Sequence, residues 1–181
     1  MKATVLHGSP RKGKNSDTLV ESFLKGFNIS KSHTIKHFYI NDLKINPCQG
    51  CLSCASPPHN CKIDDDMQEI YTAYRESDLI IWASPMYWGY LTAQLKLVQD
   101  RMEALAWSGF EDKTFVVLLT YRHHYQSAAS MFRRITPHFR INLHILDCCT
   151  YEPESKKDIP IKELPEKLEE AYRLGRKLGA Q

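Results

Sequence analysis

Several features are missing from this chain, and each absence removes a class of function. No apolar run approaches the ~20 residues that a membrane-crossing helix needs. Met1-Lys2 leads straight into strand-type residues and then a charged loop, so no secretory leader and no membrane partner are expected. There is little excess of one charge. The 24 Lys and Arg stand against 21 Asp and Glu, a formal net charge of +3 too small to argue for nucleic acid, and the cations are scattered rather than striped, so no nucleic-acid partner is expected. No internal repeat and no low-complexity segment breaks the chain, and the first loop contains neither G-x-x-x-x-G-K-[ST] nor G-x-G-x-x-G. Nucleoside triphosphates and the usual dinucleotide site are thereby disfavoured. A nucleophile elbow is also lacking, which sets a hydrolase reading low.

What is present is ordinary in amount and informative in arrangement. The 181 residues, 43% apolar and 25% charged, suit a single domain over residues 1–181 with a core large enough to need no staples. Six cysteines without a secretory signal point to a reducing, cytoplasmic setting, where metal or redox chemistry outranks a disulfide framework.

Strand and helix patterns alternate from end to end. Residues 2–7 read as a strand and about 16–28 as a helix. Residues 33–39 alternate with period two, as in an exposed edge strand, and a helix follows from Met67. The runs 79–83 and 114–120 are continuously apolar, as expected of central parallel strands covered on both faces. Helical spacing returns at 91–105 and 125–139, a strand is expected at 141–147, and a last helix at about 161–178. This predicts an α/β fold: a five-stranded, doubly wound parallel sheet of the flavodoxin-like type, strand order 2-1-3-4-5, with its ligand at the carboxyl ends of strands one and three.

The loop after strand one, Gly8-Ser9-Pro10-Arg11-Lys12-Gly13-Lys14-Asn15-Ser16-Asp17-Thr18, is rich in hydroxyls, glycines and cations and opens a helix. First-turn N–H groups lack intrahelical partners and the helix dipole is positive there, so such a loop suits a phosphate. A solvated turn with Ser16 or Asn15 as N-cap is the competing reading of that loop alone. The topology demands that the loop after strand three lie beside it. That loop, Ser84-Pro85-Met86-Tyr87-Trp88-Gly89-Tyr90, carries aromatic side chains suited to covering a planar ring. One phosphate end and one ring end match flavin mononucleotide (FMN). Thr120 and Tyr121, at the end of strand four, complete the expected cofactor contacts. His123 and His124 beyond them read as solvated loop residues, and Cys148-Cys149 as core packing.

A third constellation stands in a loop of about 46–64. Cys48, Cys51, Cys54 and Cys61 follow C-x2-C-x2-C-x6-C, a spacing that suits a [4Fe–4S] cluster, a structural zinc ion, or redox-active thiols near the flavin.

Taken together, Gly8-Ser9-Pro10-Arg11…Asn15-Ser16…Thr18, the Cys48–Cys61 set running into Asp65-Asp66-Met67, and Ser84-Pro85-Met86-Tyr87-Trp88 resemble the NAD(P)H-dependent FMN reductase-like family, and most closely its iron–sulfur flavoprotein branch. The resemblance runs over residues 3 to about 104. It implies that Ser9, Arg11, Asn15, Ser16, Asp17 and Thr18 hold the FMN phosphate, that Pro85, Met86, Tyr87, Trp88 and Gly89 line the isoalloxazine, and that the four cysteines fall on cluster-ligand positions. The chain departs from the family at Thr120-Tyr121-Arg122-His123-His124-Tyr125, where a small Gly- or Ser-rich turn is common. The implied function is an oxidoreductase that takes electrons from NAD(P)H through FMN to a quinone, nitroaromatic, flavin or protein acceptor. It is implied to work as a homodimer or homotetramer and to need no protein acid or base. The alternatives are an electron carrier using a [4Fe–4S] cluster, or a non-enzymatic redox sensor built on the Cys loop.

Overall fold

The computed structural model describes residues 1–107 and 109–181. Its five main strands are β1 (Lys2–His7), β2 (Thr34–Tyr39), β3 (Leu79–Tyr87), β5 (Thr114–Tyr121) and β6 (Asn142–Cys149), all parallel in the order β2-β1-β3-β5-β6. With the two-residue β4 (Tyr90–Leu91) left out of the count, this is the expected 2-1-3-4-5 order, with β2 at an edge and the most apolar strand, β3, in the centre.

Helices cover both faces. α1 (Asn15–Phe27) and α5 (Pro165–Gly179) lie on one side, packed on Ala3, Val5, Leu79, Ile81, Val116 and Leu118. On the other, α2 (Met67–Glu76), α3 (Ala93–Asp100) and α4 (Gln126–Ile135) meet Leu6, Ile80, Trp82, Phe115, Val117 and Leu119. Successive residues of β3 and β5 thus feed opposite layers, which is why those strands carry no polar alternation.

α1 and α5 touch backbone to backbone. A Cβ on Gly175 would stand 2.0 Å from the Phe23 carbonyl oxygen, one on Gly179 2.0 Å from that of Phe27, and one on Gly26 2.0 Å from that of Tyr172.

Two small elements were not expected. β3 runs on through Tyr87, turns at Trp88-Gly89 and returns as β4, with Tyr87 opposite Tyr90. Both turn residues have positive φ, 51° at Trp88 and 77° at Gly89, as a tight two-residue hairpin turn requires. The second is a short hairpin of β7 (Tyr151–Glu152) and β8 (Lys157–Asp158) that stands between β6 and α5. Among the described residues no helix is long and apolar enough to cross a membrane.

Candidate functional site

The loops after β1 and β3 lie side by side because they are tied together. The Gly8 N–H donates to the Ala83 carbonyl at 2.8 Å, and the Thr92 hydroxyl donates to the Gly8 carbonyl at 2.7 Å. Thr92 also caps α3 by accepting from the Leu95 N–H. Glycine at position 8 allows this approach: a Cβ there would stand 2.2 Å from Leu95 Cδ1 and 3.1 Å from the Ala83 oxygen, so the Leu95 side chain would have to move.

Between these loops opens a cavity of about 750 Å³, within the range of small-molecule sites. One end is walled by Ser9, Arg11, Lys14, Asn15 and Ser16, the other by Pro85, Met86, Tyr87 and Trp88, with Thr120, Tyr121 and Arg122 between them and Thr150 and residues 158–160 closing the side. Of the residues expected to contact the cofactor, the cavity wall holds Ser9, Arg11, Asn15, Ser16, Pro85, Met86, Tyr87, Trp88, Thr120 and Tyr121; Asp17, Thr18 and Gly89 are not on it. Asp17 turns inward to His7 and Gly13, Thr18 continues α1 with its N–H on the Lys14 carbonyl, and Gly89 serves the β3–β4 turn, its carbonyl held by the Ser127 hydroxyl.

The α1 end of the cavity is built from the helix terminus itself. Lys14 occupies the cap position of α1 and no side chain caps it. The competing reading, with Ser16 or Asn15 as N-cap, does not hold: the Ser16 hydroxyl is bonded to the Thr120 hydroxyl at 2.9 Å, and Asn15 Oδ1 accepts from the Ile161 N–H. The first-turn N–H groups are therefore left without a side-chain cap, and the helix start lines the cavity beside the Ser9 and Ser16 hydroxyls and the cations Arg11 and Lys14, a set of donors that suits an anion.

The β3 end is apolar and aromatic. Tyr87 is partly exposed and Trp88 wholly so, an uncommon state for a tryptophan held at positive φ. Tyr121 packs at a tilt against Tyr125, ring centres 4.8 Å apart, and donates its hydroxyl to Asp147 at 2.9 Å. Burial, then that bond, pushes its ionisation well above the usual tyrosine range, so it stays protonated. Arg122 pairs with Asp158 of the β7–β8 hairpin, at 2.5 Å, and lies over the Tyr151 ring. His123 packs edge-on to Tyr151, and neither His123 nor His124 reaches the cavity.

The cysteine loop is organised from elsewhere in the chain. Arg101, fully buried at the end of α3, pairs with Asp65 at 2.5 Å and donates to the Asn46 carbonyl at 3.2 Å, the Ile63 carbonyl at 3.3 Å and Cys61 Sγ at 3.3 Å. Burial opposes ionisation of Asp65, yet the Arg101 contact and the Asn46 and Met67 N–H groups hold its carboxyl below the usual range. Cys48 and Cys51 are exposed, while Cys54 and Cys61 are half-buried against the core. The Ser53 hydroxyl at 3.4 Å helps draw the Cys51 thiol down, whereas burial pushes that of Cys54 up.

Among the described residues no three Cys, His, Asp or Glu side chains gather as a metal-holding group. The convergence expected of Cys48, Cys51, Cys54 and Cys61 is thus not present: Cys61 is drawn to Arg101 while Cys48 and Cys51 stand at the surface. None of the four lines the cavity. Cys148 packs in the core as expected, its thiol pushed up to about 11 by burial, but Cys149 is exposed.

The sequence profile described as NADPH-dependent FMN reductase matches residues 1–146. The chain is 39% identical over 121 residues to an iron-sulfur flavoprotein of Methanosarcina thermophila, covering 64% of this chain and 60% of that one. It is 40% identical over 107 residues to an iron-sulfur flavoprotein of Archaeoglobus fulgidus, covering 56% and 46%. The matches thus span about half to three fifths of the relatives' length. Among solved structures, an NAD(P)H:quinone oxidoreductase from Methanothermobacter marburgensis superposes with a TM-score of 0.71 at 20% identity over 98% of both chains. An FMN-dependent NADH-azoreductase from Bacillus anthracis gives 0.74 at 14% identity over 99% of this chain and 100% of the other. At such identities these two speak to the fold.

Proposed function

This chain belongs to the NADPH-dependent FMN reductase family, and from that premise we propose that it is a flavin oxidoreductase, binding FMN across the cavity, taking electrons from NAD(P)H and passing them to a quinone, nitroaromatic, flavin or protein acceptor. The observation that carries this reading is the single cavity joining the uncapped start of α1 to the aromatic hairpin of β3 and β4. When bound, FMN supplies the hydride-accepting ring. The chain's own residues have simpler tasks. Ser9, Ser16 and the first-turn N–H groups of α1 would hold the phosphate, with Arg11 and Lys14 balancing its charge. Asn15 steadies the segment after β8 through Ile161. Pro85, Met86, Tyr87 and Trp88 would cover the ring and exclude water, and Thr120 and Tyr121 would border it. No side chain is needed as acid or base. The same reading takes the protein to be cytoplasmic and a homodimer or homotetramer; its six free thiols support a reducing setting.

A second reading, an iron–sulfur electron carrier, is favoured by the cysteine spacing and by the names of the two relatives. The loop in its present shape does not fit a cluster, because Cys48 and Cys51 would first have to fold in towards Cys54 and Cys61. No electron path is therefore routed through it.

Absorption spectra of anaerobically purified protein, with iron and sulfide analysis and NADH and NADPH oxidation assays, separate the readings. Flavin bands without iron, and turnover with either nucleotide, support the oxidoreductase. Stoichiometric iron and sulfide support the carrier. A colourless protein that takes up no FMN overturns both.

A further inference from the structure

Directly beneath the phosphate loop lies a buried polar chain that the proposed binding does not use. His7, the last residue of β1, places Nδ1 at 2.8 Å from Asp17 Oδ1 and Nε2 at 3.0 Å from His37 Nδ1 of β2. The side chains of His7 and Asp17 are only 3% and 6% exposed. The other Asp17 oxygen accepts the Gly13 N–H at 2.7 Å. His7 also stacks on Tyr39, ring centres 4.2 Å apart, and Lys12 lies over that tyrosine, 4.5 Å from its ring centre, while paired with Asp42. Two independent routes thus run from one imidazole to two successive loop residues: through Asp17 to Gly13, and through Tyr39 to Lys12.

Hydrogen-bond accounting fixes the direction of the chain. Burial alone would raise the Asp17 carboxyl, but the His7 and Gly13 contacts outweigh it and hold it ionised below the usual range. An ionised carboxylate only accepts, so His7 must donate from Nδ1. The Nδ1–H tautomer of His7 accepts at Nε2 from His37 Nδ1. His37 is exposed, so the chain runs from solvent to the loop. A carboxylate at the head of a helix opposes an anion bound there; its presence is intelligible as an anchor for Gly13, whose φ of +67° shapes the turn.

We propose that His7 and Asp17 are positioning residues for the phosphate loop: they hold Lys12 and Gly13 so that the first-turn N–H groups of α1 face the anion, and they do not touch the ligand themselves. This rests on the FMN reading above. A merely structural role would weaken all flavins alike, whereas positioning of the phosphate loop must discriminate FMN from riboflavin, which has the same ring and no phosphate.

The test compares fluorescence titrations of FMN and riboflavin with amide hydrogen exchange at Gly13 in the flavin-free protein. Asp17→Ala should weaken FMN at least tenfold and riboflavin less than threefold. Asp17→Asn should recover FMN affinity to within threefold of the parent, because its amide can accept from Gly13 and donate to the other tautomer of His7. His7→Phe, which keeps a ring against Tyr39, should behave as Asp17→Ala does. In the parent, the Gly13 amide should be protected from exchange, and in Asp17→Ala that protection should be lost. Equal weakening of both flavins, or unchanged FMN binding in Asp17→Ala, overturns the proposal. If the parent binds neither flavin, the FMN reading fails, and the exchange experiment alone decides: an unprotected Gly13 amide in the parent overturns the anchor, and protection lost in Asp17→Ala upholds it.

Discussion

Replacing Gly175 by alanine sets two effects of opposite sign against each other, and the α1–α5 contact decides which wins. Helix propensity alone favours alanine by about 1 kcal/mol in the middle of a helix. The new Cβ, however, would stand 2.0 Å from the Phe23 carbonyl oxygen and 2.9 Å from the Phe27 backbone nitrogen. These are backbone atoms of α1, so no rotamer change relieves the overlap; the helices must separate by more than an ångström. Overpacking of this kind costs about 3 kcal/mol, the upper end of what cores tolerate. The net loss is then about 2 kcal/mol, which for a chain of this size lowers the melting temperature by roughly 4–8 °C. Thermal unfolding followed by far-ultraviolet circular dichroism, in the presence and absence of FMN, reads it directly. Displacement of α1 also moves the helix start that walls the cavity, so FMN affinity should fall with stability. A Gly175→Ala protein that melts at or above the parent temperature refutes the close-contact argument, since propensity would then have prevailed.

Other expectations follow from particular contacts. Asp65→Asn removes one partner of the buried Arg101 pair and should cost about 3 kcal/mol in urea unfolding. Because the folded Asp65 carboxyl lies below its unfolded value, its contribution is present above about pH 4 and fades as pH falls through the lower folded value; the Asn variant should lose that acid-dependent component of stability. Trp88→Asn should raise stability by about 0.5–1 kcal/mol, because asparagine accepts the φ of +51° more readily and no buried contact is lost, while flavin affinity drops. Ser16→Ala leaves the buried Thr120 hydroxyl without its partner and should cost about 1 kcal/mol, with a loss of FMN affinity larger than that of riboflavin.

Most of the sheet was legible because two-sided burial imposes a pattern that does not depend on context. Runs such as Leu79–Ala83 have one reading once helices flank them, and the right-handed crossover rule then brings the loops after β1 and β3 together. Elements held by single contacts were not legible. The β3–β4 turn places Trp88 at positive φ, which its residue type disfavours, and depends on Ser127 reaching Gly89 from α4. The β7–β8 hairpin is two residues a side and leans on the Arg122–Asp158 pair. Gly26, Gly175 and Gly179 read as ordinary helix residues, although the four-residue spacing of the last two was a usable sign of close helix contact. At the site, Asp17 sits in the loop that the resemblance places against the phosphate; only the buried imidazole of His7 reveals that it turns the other way. The cysteine spacing promised convergence, but spacing says nothing of Arg101, forty residues beyond Cys61, which holds that end of the loop.

The proposed function requires one cavity with an anion-holding end and a ring-holding end. A crystal structure of the protein soaked with FMN tests it most directly. The phosphate should lie at the start of α1, within hydrogen-bond reach of Ser9 and Ser16, with the isoalloxazine against Met86, Tyr87 and Trp88. FMN bound with its phosphate away from α1, or with its ring outside the β3–β4 hairpin, contradicts it.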